Sequence, residues 1–232
     1  MESLQLSSGT VDYEDSGGDG PVIVFTGGLL MDATLCRGVV ASLASSHRCV
    51  VAVLPLGGHR RPMPADADLS LHALADLLAE FIEVLDLDQV TLVGVAQALR
   101  LSFMWRVPMT FGWMAKRPIP KDVRTSWITG LRTERGVRRD VAKYVRTSDL
   151  TGLEQAAIEL AAFERPTLIV WATRDKVMPP EHGRRLADII PDSTLVELDD
   201  GDTLLALDCP DEVATHIAAF VARLPDGGRN GR

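Results

Sequence analysis

Short apolar runs alternate along this chain with longer stretches in which apolar residues recur every three or four positions. "PVIVFTGG" is apolar and β-branched and ends in glycines, which predicts a buried strand over Val22 to Thr26 and then a tight turn. Asp32 to Ala44 follows with Leu35, Val39 and Leu43 at helical spacing. "RCVVAVLPLGG" predicts a second buried strand, ended by Pro55. "PADADLSLHALADLLAEFIEVLDLD" is the clearest helix: Ser70 or Asp68 can cap it, and Leu71, Leu74, Leu78 and Ile82 form its stripe. "QVTLVG", "RPTLIVWATRD" and "STLVELDDGD" predict three more strands. "PPEHGRRLADIIP" is a helix with prolines at its start, and "CPDEVATHIAAFVARL" a final amphipathic helix.

Strands alternating with helices imply βαβ units, hence an α/β fold with a mostly parallel sheet and helices on both faces. Sites in such sheets form beyond the carboxyl ends of the strands. The loops after Phe25, Leu54, Val93, Trp171 and Leu198 therefore carry the candidate chemistry. The segment from Ala98 to Glu164 breaks the alternation. It is basic, Trp-rich and helical in pattern, with breaks at Pro108, Pro118 and Pro120. From Lys116 to Arg146, ten Lys/Arg stand against three Asp/Glu, a net of +7; the whole chain carries −8, so the remainder carries −15. This shift predicts a reduced helical cap, 97–164, inserted in a core formed by 1–96 and 165–225, with a disordered tail at 226–232.

Composition narrows the class. Apolar content of 46% and charged content of 24% suit a globular chain of ordinary core size. The net negative charge argues against general nucleic-acid binding. The acidic, polar N-terminus is unlike a signal peptide, and no apolar run approaches the ~18 residues of a membrane span. Cys36, Cys49 and Cys209 make an odd count without metal-ligand spacing. Reduced thiols, a cytoplasmic setting, no metal and no cofactor are expected.

The order of these motifs resembles the α/β-hydrolase fold superfamily over nearly the whole chain. "VIVFTGG" resembles that family's strand and oxyanion turn, with Thr26-Gly27-Gly28 in the turn. "LPLGGHRRPMPADADLSLHALADLLAEFIEVLDLDQVTLVG" is similar to its next strand, loop, helix and elbow strand. "PTLIVWATRDKVMPPEHGRRLADIIP" resembles the acid-bearing strand and loop, which puts Asp175 at the acid position. "LVELDDGDTLLALDCPDEVATHIAAFV" resembles the segment that carries the family's histidine.

The resemblance implies a nucleophile elbow, G-x-S-x-G. Here Gly94-Val95-Ala96-Gln97-Ala98 puts a methyl group, Ala96, at the nucleophile position. The histidine position, seven residues before Pro210, is Thr203, flanked by Asp202 and Leu204. The chain thus reads as a degenerate, shortened member, and an acid alone cannot run the nucleophile–base relay. The helix and strand that follow the elbow in the family need about 30 residues, yet "ALRLSFMWRVPMTFGWMAKRPIP" follows at once. Either Thr167–Trp171 pairs directly beside Val90–Val93, or Leu99–Trp105 fills the gap as a helix.

Each candidate residue has two readings. Gly28 and Gln97 offer backbone N–H groups that polarise a substrate, or the glycines only make a turn. Asp175 is a base or hydrogen-bond anchor, or a loop residue that caps the Pro179 helix or pairs with Arg174 or Lys176. Asp202 forms an acid/base pair with Asp175 if the two carboxylates face each other, or it sits in a solvated turn. His59 is an imidazole at the pocket edge, or a loop contact. Thr26, Leu29, Trp105, Phe111 and Trp113 line an apolar pocket, or the cap aromatics, Trp127 among them, pack against the body.

The first functional expectation is a non-hydrolytic enzyme that cyclises, eliminates or isomerises a small apolar organic substrate, as in specialised metabolism. The alternative is a catalytically inactive ligand-binding or interaction module. The third is an esterase-type hydrolase using Ser102 and His59. The basic segment adds an anionic carrier as a partner, and a shortened sheet adds a homodimer.

Overall fold

The polar N-terminal stretch forms two strands that no apolar run announces. The computed structural model describes residues 1–94, 114–147, 156 and 158–225. In it β1 (Glu2–Leu6) and β2 (Gly9–Asp15) make an antiparallel hairpin, with Leu6 opposite Gly9. The signal was a period of two: Leu4, Leu6, Val11 and Tyr13 alternate with polar neighbours, and Val11 and Tyr13 are buried.

The remaining strands follow the apolar runs. They are β3 (Val22–Thr26), β4 (Arg48–Val53), β5 (Thr91–Gly94), β6 (Thr167–Ala172) and β7 (Ser193–Leu198). Among the described residues, β3, β4 and β5 join the hairpin in one sheet of order β1-β2-β4-β3-β5, and β6 and β7 form a parallel pair. β3 runs parallel to both β4 and β5; β2 runs antiparallel to β4. Among the described residues no ladder joins β5 to β6, so the direct pairing of those two strands is not what the fold uses. The other arrangement, a helix over Leu99–Trp105, lies outside the described residues.

In chain order the helices are α1 (Arg37–Leu43), α2 (Leu71–Val84), α3 (Lys121–Thr133), α4 (Arg135–Thr147), α5 (Pro180–Ile189), α6 (Leu205–Asp208) and α7 (Pro210–Val221). A 3₁₀ turn, Ala33–Cys36, precedes α1, and the Asp32 side chain caps it by accepting from the Thr34 N–H at 3.0 Å. Ser70, not Asp68, caps α2 by accepting from the Ala73 N–H. The buried stripe of α2 is Leu74, Leu77 and Phe81; Leu71, Leu78 and Ile82 are only partly buried beside it.

Alternation along the central strands divides the core into two faces. Ile23, Phe25, Cys49, Val51 and Val53 point to one face, against α1 and α7. Val24, Val50 and Ala52 point to the other, against α2. The first cluster continues across the seam between the sheets through Ala172, Leu198, Leu204, Val213 and Ile217. The basic segment joins both clusters: Val123 and Trp127 of α3 enter the first and Tyr144 of α4 the second. Cys36, Cys49 and Cys209 are all buried and unpaired. No helix among the described residues is long and apolar enough to cross a membrane.

Candidate functional site

The strand ends bring together the loops after β6 and β7. Asp175, 6% exposed, lies in the turn after β6. Its Oδ1 accepts from the N–H groups of Val177 and Met178, each at 2.8 Å, and from the Thr203 hydroxyl at 2.7 Å. Asp175 therefore gathers its own loop and meets Thr203 in the loop after β7. Thr203, not Asp202, is its neighbour across the gap. The Asp202 N–H donates instead to Asp208 at 3.0 Å.

The loop after β7 is also tied to the start of the basic segment. Leu204 donates its N–H to the Met114 carbonyl at 2.8 Å. The buried Asp208 carboxylate accepts from the N–H groups of Lys116 and Arg117. Asp200 pairs with the Lys116 ammonium and with Arg117 at 2.7 Å, and these cations hold its carboxyl below the usual value.

The glycine turn leaves β3 at Thr26, whose neighbour across the ladder is Gly94. Gly28 is buried, and its carbonyl accepts from the Met31 N–H at 3.1 Å. Leu29 packs against the second core cluster. Leu30 takes a left-handed backbone, φ 66°, and its N–H donates to Leu56 at 2.8 Å, which draws this turn onto the loop after β4. Ala96, Gln97, Ser102, Trp105, Phe111 and Trp113 lie outside the described residues.

His59 is 4% exposed, and both of its ring nitrogens are engaged. Nδ1 accepts from the Gly57 N–H at 3.1 Å, which leaves the proton on Nε2 to donate to Asp140 at 3.2 Å. Asp140 further accepts from the Met63 N–H at 2.8 Å and from Arg139 at 2.9 Å. Burial pushes the Asp140 carboxyl up, but the bonds from His59, Met63 and Arg139 outweigh it and hold the carboxyl below its usual value. The imidazole thus fastens the loop after β4 to α4. Sequence reading missed Asp140, although it sits with Val137, Val141 and Tyr144 on the buried face of α4.

Sequence reading also missed an open cleft of about 740 Å³ between the 3₁₀ turn, the loop bearing Arg60 and α3. Its lining includes Thr34, Arg37, Arg60, Lys121, Asp122 and Ser126. Trp127 lies behind it, 0% exposed, donating from its indole N–H to the Thr34 hydroxyl at 2.9 Å. That tryptophan packs the basic segment onto the body.

No family model matches the chain. An uncharacterized hydrolase of Bacillus subtilis is 32% identical over 63 residues, 27% of this chain and 23% of the relative, so the match spans less than a quarter of that protein. Solved structures match over far more. An α/β-hydrolase-fold protein from Burkholderia ambifaria superposes at TM-score 0.77, 20% identical, over 94% of this chain and 97% of its own. A haloalkane dehalogenase loop variant from Bradyrhizobium elkanii gives 0.74 at 16% identity, over 95% and 97%. A thermophilic esterase from Thermogutta terrifontis gives 0.72 at 17% identity, over 96% and 99%. With the strand order, the two-faced core and the acid loop after β6, these likenesses identify the architecture: the chain has the α/β-hydrolase fold.

Proposed function

We propose that this α/β-hydrolase-fold chain is a non-hydrolytic interaction or ligand-binding module rather than a covalent catalyst. The observation that carries the reading is the Thr203–Asp175 hydrogen bond. In the triad mechanism the acid orients an imidazole, which takes a proton from the nucleophile. Here the acid orients a hydroxyl, and two backbone N–H groups share the same carboxylate oxygen. A threonine hydroxyl is no proton acceptor near pH 7. His59 does not replace it, because Gly57 and Asp140 occupy its two nitrogens. Ala96 at the elbow position brings no atom to attack with. These features support reading the acid as a buttress for two loops, and they favour the module over a cyclase, lyase or isomerase that would use Asp175 as its base.

The test is fluorophosphonate labelling together with p-nitrophenyl acetate hydrolysis on the full chain. The wild type is expected to be blank in both. Labelling of any serine, Ser102 included, or turnover that Asp175→Asn abolishes, would overturn the reading.

A further inference from the structure

We propose that the cleft between the 33–36 turn, the loop bearing Arg60 and the start of α3 binds a phosphate ester of a small organic molecule. Three cations reach it from segments far apart in sequence: Arg37 at the start of α1, Arg60 after β4, and Lys121 at the start of α3. At the rim, Asp122 pairs with Arg37 at 3.2 Å. The chain as a whole has 32 Asp/Glu against 24 Lys/Arg, so this gathering of positive charge runs against the overall balance. Asp122 offsets Arg37 and Asp32 offsets Arg60, so the excess is the one positive charge of Lys121.

The floor of the cleft is fixed. The Ser126 hydroxyl donates to Asp32 and accepts from Arg60 at 2.8 Å. The Thr34 hydroxyl donates to Asp32 at 2.5 Å. Asp32 itself is 2% exposed and lies 3.9 Å from the Arg60 guanidinium. Arg60 is thereby oriented while keeping N–H groups beyond the one given to Ser126. With Asp32 and Asp122 set against the three cations, the cleft carries +1. A guanidinium fork and an ammonium lining one cleft complement phosphate oxygens in charge. The volume of about 740 Å³ exceeds that of a bare phosphate, and the lining joins charges and hydroxyls with apolar side-chain stems, which leaves room for an organic body beside the phosphate. The cleft shares no lining residue with the Asp175–Thr203 pair, so the inference stands independently of the proposed function.

Calorimetric titration of the full chain with glycerol 3-phosphate at low salt tests it. Saturable binding is expected, weakened about tenfold or more by Lys121→Gln and by Arg60→Gln, and weakened also by added salt. Glycerol is expected not to bind. The Lys121→Gln variant keeps the measurement decisive if the loss of Arg60 disturbs the Ser126 contact. Absence of binding, equal binding of glycerol, or unchanged affinity in folded Lys121→Gln overturns the proposal. Inorganic phosphate binding as tightly as glycerol 3-phosphate removes the organic body from it.

Discussion

Asp140 is 1% exposed and accepts bonds from an imidazole, a backbone N–H and a guanidinium. Its folded-state carboxyl lies below the unfolded value of about 4. The stability it contributes is therefore present above that unfolded value and is lost as pH falls through the folded one. Asp140→Asn is expected to cost about 2 kcal/mol at neutral pH, with the deficit shrinking towards pH 3; urea titrations across that range check it. The residue also marks where sequence reading stops. Asp175 and Thr203 were reachable by counting along motifs, because the strand and helix that flank them fix the spacing. Asp140 was not, because its partner His59 lies 81 residues away and only the packing of α4 on the loop after β4 joins them.

At the scale of elements, close approach of backbones decides where the basic segment sits. Gly130 of α3 faces the His59 carbonyl so closely that a methyl group there would collide with it. Gly57, at φ 107°, lets the same loop turn under Leu30. Gly130→Ala is expected to lower stability by about 1–3 kcal/mol, read as a fall in the urea midpoint with unchanged slope. Strand existence was legible wherever an apolar run was continuous, as in β3, β4 and β6. The β1–β2 hairpin was harder to read because only alternate residues are apolar, with acidic and other polar residues between them. The stripe of α2 was displaced for a related reason: helical spacing marks a face, but the sheet beneath it chooses which leucines go deepest.

For the whole molecule, the described residues form a five-stranded sheet and a β6–β7 pair that meet in one core cluster. Ala172, Leu198 and α7 belong to that cluster. Among the described residues the pair shares a core cluster with the five-stranded sheet but no ladder, so the pair is expected to open at lower cost than the central strands. Ile217→Ala, in α7, is expected to cost about 2–4 kcal/mol and to reduce hydrogen-exchange protection in β6 and β7 more than in β3 and β4. Equal loss in all four strands would show a single cooperative unit. The α/β layering could be inferred from the sequence; the shared core of the two sheets could not, because it joins residues far apart in the chain, such as Phe25 and Ile217.

The interior placement of all three sulfur atoms has a bearing on handling the protein. Burial pushes the Cys36 thiol up to about 12 and those of Cys49 and Cys209 to about 11. Thiolate is the form that oxidises and exchanges, and it is scarce at neutral pH in such surroundings. Native molecules stored in air therefore offer one another no handle for covalent crosslinking, and any disulfide-linked dimer on a gel is a record of chains that had already come undone.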